Sequence, residues 1–128
     1  MYWNDLNRAA LAVNFASMLI GIVAYAIVAP PLATAVTILL TLGAFAAAYA
    51  GSCWVSSRFP VPGVRRQDGG TTIPTSVALP VLVILPALCA YEVISLIWLN
   101  ASPFSVSWPH FAAATTLAYN VEQFFEQR

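Results

Sequence analysis

Three long apolar runs, at residues 9–29, 32–55 and 77–99, dominate the chain, and each is broken only by scattered small or polar side chains. A helix needs about 20 apolar residues to cross the roughly 30 Å hydrocarbon layer of a bilayer, so each run predicts a transmembrane helix. Pro30 and Pro31 separate the first two. Proline pushes the residue before it out of the helical region and is well placed at a helix start. The first two helices are therefore expected to form a tight antiparallel hairpin. Residues 56–76 are rich in Pro, Gly, Ser and Thr and read as a loop.

A fourth segment, residues 108–126, is milder in polarity and ends amphipathic and acidic at Glu122 and Glu126. Ser107 is a candidate N-cap and Pro109 falls in the first turn. A fourth span is expected here, the alternative being a helix lying in the membrane interface. The expected fold is all-α and integral to the membrane. Residues 1–128 form one transmembrane helical domain, a bundle of four helices or of three with an interfacial fourth.

Composition supports this reading. Hydrophobic residues make up 60% of the 128 and charged residues 8%, against about 25% charged in a soluble domain. Too few charges remain to build a water-facing surface, so lipid is the expected solvent. The first run exceeds the roughly 7 to 15 apolar residues of a signal-peptide core and reads as a span. Five basic residues, all arginine, balance five acidic ones, which gives no pull toward nucleic acid. Cys53 and Cys89 each sit inside an apolar run and read as small hydrophobes rather than a disulfide framework.

Arginine placement predicts the orientation. Arg58, Arg65 and Arg66 fall in the 56–76 loop, and loops rich in arginine stay on the cytoplasmic side. The N-terminus then lies on the same side, in what reads as a bacterial inner (plasma) membrane. Trp3 and Trp54 fall at the inner boundary and Trp98 and Trp108 at the outer one, as interfacial aromatic belts require. Asn100-Ala101-Ser102 matches a glycosylation acceptor, but a match so short and so close to the membrane reads as chance.

Two features bear on function. Gly43, Ala47 and Gly51 repeat every four residues in the second run and share a helix face. Small residues let membrane helices approach closely. This face is expected to pack against Asn14, Ser17 and Gly21 of the first helix, the alternative being a surface for a partner subunit. The second feature is Glu92, the only acid in the three runs. A charge deep in a bilayer costs at least about 2.5–3.5 kcal/mol, so Glu92 is expected to point into the bundle. Thr37, Thr41, Tyr25 and His110, the only histidine, fall at a similar depth. Glu92 and His110 would then be a site for a proton or cation, or simply a link between helices.

One histidine and two separated cysteines do not build a haem pair or a tetrahedral metal site. The chain has no phosphate loop and no nucleophile elbow. No cofactor, no metal and no catalytic activity of its own are expected. The reading is a small accessory or structural subunit of a larger membrane complex, with the lipid bilayer, other membrane subunits or copies of itself as partners. The alternatives are a small homo-oligomeric channel, transporter or holin-like pore using Glu92, and a compact membrane enzyme.

Overall fold

The structure, a computed structural model, describes residues 2–58 and 73–126. Most of the 56–76 loop, with Arg65, Arg66 and Asp68, lies outside the described residues, as does Arg128. The architecture is all-α: α1 (Trp3–Val28), α2 (Pro31–Arg58), α3 (Thr75–Ile97), the single turn α4 (Pro103–Val106) and α5 (Trp108–Glu126). Of these, α1, α2 and α3 are long and apolar enough to cross a membrane. Their outward side chains show what solvent they require: Leu32 is 78% exposed, Ile27 69% and Leu39 68%. An apolar surface of this extent is stable in lipid, not in water.

Direction alternates along the chain. His110, near the start of α5, meets Gly21 near the end of α1, whereas Asn120, near the end of α5, meets Asn7 near the start of α1. The two helices are therefore antiparallel over most of their length, and α5 lies within the bundle rather than flat in an interface. Asn7 and Asn120 share a groove with Leu82 and Leu85 of α3, so α3 runs parallel to α1. The extended backbone at Ala29, followed by Pro30 outside both helices, turns the chain from α1 into α2.

α5 occupies the centre. It packs chiefly against α1 and α2, and α1 packs against α3, while α1 and α2 touch only slightly. Polarity explains the arrangement. His110, Asn120, Glu122 and Gln123 are all buried, and in hydrocarbon such groups need protein partners. The least apolar long helix therefore goes inside and the three most apolar ones face lipid. Its Ala113, Ala114 and Ala118 are wholly buried, and small side chains there let the neighbouring backbones come close.

This corrects two expectations. The hairpin of α1 and α2 is not tight, because α5 is the principal neighbour of both. The Gly43–Ala47–Gly51 face does not pack on α1: all three residues are exposed, and among the described residues a Cβ added at Gly43 or Gly51 would meet nothing within 4 Å. The Asn14–Ser17–Gly21 face of α1 is buried between α5 and α3: Asn14 meets α5, Ser17 borders α3, and Gly21 meets both. Asn14 finds a hydrogen bond on α5, whereas the hydroxyl of Thr41, on the part of α2 that borders α1, is spent within its own helix.

The link from α3 to α4 turns at Asn100, whose φ of 51° is left-handed. Asparagine tolerates this conformation, and the N–H of Ala101 then satisfies the carbonyl of Ser95. The turn is what aims α5 back down the bundle.

Candidate functional site

Glu92 comes about one and a half helical turns after Pro86 on α3, and its side chain is 0% exposed. His110, the third residue of α5, is also 0% exposed. Nδ1 of His110 lies 2.8 Å from one carboxyl oxygen of Glu92 and 3.0 Å from the other. The backbone N–H of His110 donates to Oε1 of Glu92 at 3.3 Å.

The backbone contact explains why a membrane helix tolerates a carboxyl group. The first N–H groups of any helix lack intrahelical partners, and lipid offers none. Pro109 removes one of those donors; Glu92 receives the next from the neighbouring helix. The positive end of the α5 dipole also favours an acidic group there.

α1 closes the site. A Cβ built on Gly21 would lie 2.6 Å from Cβ of His110 and 3.0 and 3.2 Å from the two carboxyl oxygens. Only glycine leaves room for α5 to approach so near. The ring of Tyr25 meets the His110 ring edge-on, with centroids 6.2 Å apart. Beyond it Tyr25, Ala24, Leu96 and Val106 form an apolar cluster that caps this end of the bundle.

Thr37 and Thr41 are buried but do not join the site. The Thr41 hydroxyl donates to the carbonyl of Thr37 one turn earlier in α2, and Thr41 borders an apolar groove with Phe15 and Leu117. Ser17 likewise donates within its own helix, to Val13.

A second polar layer lies nearer the other end. Nδ2 of Asn14 donates to Oδ1 of Asn120 at 2.7 Å. Nδ2 of Asn120 donates to Oδ1 of Asn7 at 2.9 Å, and Nδ2 of Asn7 returns a bond to the backbone carbonyl of Asn120 at 3.0 Å. Asn7 and Asn120 lie outside the three apolar runs, so hydropathy gave no reason to single them out. The available signal was the seven-residue spacing of Asn7 and Asn14, which puts them on one face of α1. Next along α5, Gln123 donates to Glu122 at 2.7 Å.

Chemically, the Glu92–His110 contact joins a carboxyl group to an imidazole inside the bundle. Among the described residues no three His, Cys, Asp or Glu side chains gather as a metal would require. Compared with family models, curated proteins and solved structures, the chain matches none.

Proposed function

We propose that the protein is a small membrane-embedded subunit that works by docking against other membrane helices through α2. The observation that supports this reading is the open row of Gly43, Ala47 and Gly51: all three are exposed, and among the described residues a Cβ added at Gly43 or Gly51 would meet nothing within 4 Å. Close approach of helices in lipid rests on such residues, since water does not drive the contact. Within this chain the close approach is made by α5 and α1, which leaves the α2 row for another helix. The burial of Glu92 against His110 favours this reading over a pore, because a pore would need that carboxyl group on an aqueous path.

Purification in mild detergent tests the proposal. A stoichiometric membrane partner is expected to accompany the chain and to be lost on Gly43→Leu or Gly51→Leu. A chain that purifies alone, or a partner retained by both variants, overturns it.

A further inference from the structure

The geometry points to Glu92 and His110 as one proton-binding site inside the bundle: the pair takes up and releases a single proton, and the atom that gains or loses it is Nε2 of His110. With Nδ1 2.8 and 3.0 Å from the carboxyl oxygens, a hydrogen must lie between ring and carboxyl group, since two bare acceptors repel at that distance. Once that hydrogen is placed, two forms remain. In the first, a carboxylate faces the Nδ1–H of a neutral ring, Nε2 is bare, and the pair carries one net negative charge. In the second, one further proton has entered from water and the pair is neutral overall. The shared hydrogen then sits on Nδ1 or on a carboxyl oxygen, and in either case Nε2 carries a hydrogen.

A histidine with a purely structural role has its state fixed by the bonds at both ring nitrogens. Here Nε2 is buried and has no hydrogen-bond partner among the described residues, so none of them selects one form. Charges on the surrounding helices do not select one either. α1 contributes Tyr25, α3 contributes Cys89, and neither α4 nor residues 31–42 of α2 hold any ionisable group. Arg8 stands roughly 20 Å away along α1, given 1.5 Å per helical residue. Cys89, one helical turn before Glu92, borders a groove of about 310 Å³ between α1 and α3 together with Ser17 and Pro86.

The inference does not depend on what docks against α2, and its test is separate. The sequence has one histidine, so every ring signal in a ¹⁵N-histidine spectrum of the full chain in lipid nanodiscs belongs to His110. Between about pH 4 and 10, Nε2 is expected to switch between bare and protonated in one step while Nδ1 stays hydrogen-bonded. Infrared bands of the glutamate carboxyl groups should shift at the same midpoint, as a coupled pair requires. In Glu92→Gln the ring midpoint should move by more than one pH unit, a tenfold change in proton affinity. An Nε2 that keeps one state throughout overturns the inference. So does a carboxyl spectrum unchanged at the ring midpoint, which needs no variant to fold.

Discussion

Glycine 21 and the three asparagines carry the sharpest consequences of single side chains. Gly21→Ala gains helix propensity, by about 1 kcal/mol, but forces a methyl group to 2.6 Å from Cβ of His110. That atom is fixed by its own helix, so α5 must shift, and overpacking of this kind costs about 1–3 kcal/mol. The variant should melt at a lower temperature in detergent than the parent; a higher melting temperature would show that the approach of α5 is not tight. Asn120→Ala removes partners from both Asn7 and Asn14. A double-mutant cycle between Asn7 and Asn120 should return a coupling of about 0.6 kcal/mol, the average for hydrogen bonds between membrane helices, and no more than the maximum of about 1.7; additive effects would deny the network. The inward placement of Glu92 was legible in the sequence, because an acid in an apolar run has few stable positions. The partner was less so. Depth alone left Thr37, Thr41, Tyr25 and His110 as candidates, His110 being singled out as the other titratable group, and the fold shows that Thr41 bonds within α2 while the start of α5 brings His110 to the carboxyl group.

At the scale of helices, periodicity tells which residues share a face but not which neighbour meets it. The row Gly43–Ala47–Gly51 and the alanines of α5 carry the same small-residue signal, yet the first is open and the second sealed. Polar satisfaction decided between them, since Asn14 makes its bond to Asn120 of α5. Bulk added to each row should therefore act in opposite ways. Gly51→Leu should leave the thermal stability of the isolated chain within about 0.5 kcal/mol of the parent, as surface changes do. Ala114→Leu, at a wholly buried position, should destabilise it by about 1–3 kcal/mol. Equal effects of the two substitutions in one melting experiment would contradict the packing described.

For the molecule as a whole, the alternating helix directions put the ends of α2 and α5 at one face and the α3–α4 turn at the other. Combined with the arginine pattern, the first face should be cytoplasmic. Ser57 and Ser102 are both exposed and suit a labelling test on a background with Cys53 and Cys89 replaced by alanine. In intact cells Ser102→Cys should react with an impermeant reagent and Ser57→Cys should not; the reverse pattern would invert the topology. Central placement of α5 also has a temporal consequence. It leaves the ribosome after the three helices that surround it, and its bond from Asn120 to Asn7 joins residues 113 apart in sequence. Contacts so distant close slowly. Until they close, the nascent protein holds Asn7, Asn14 and Glu92 in the bilayer without their mates, an interval in which a membrane chaperone would find them unguarded and a stalled chain would be most prone to disposal.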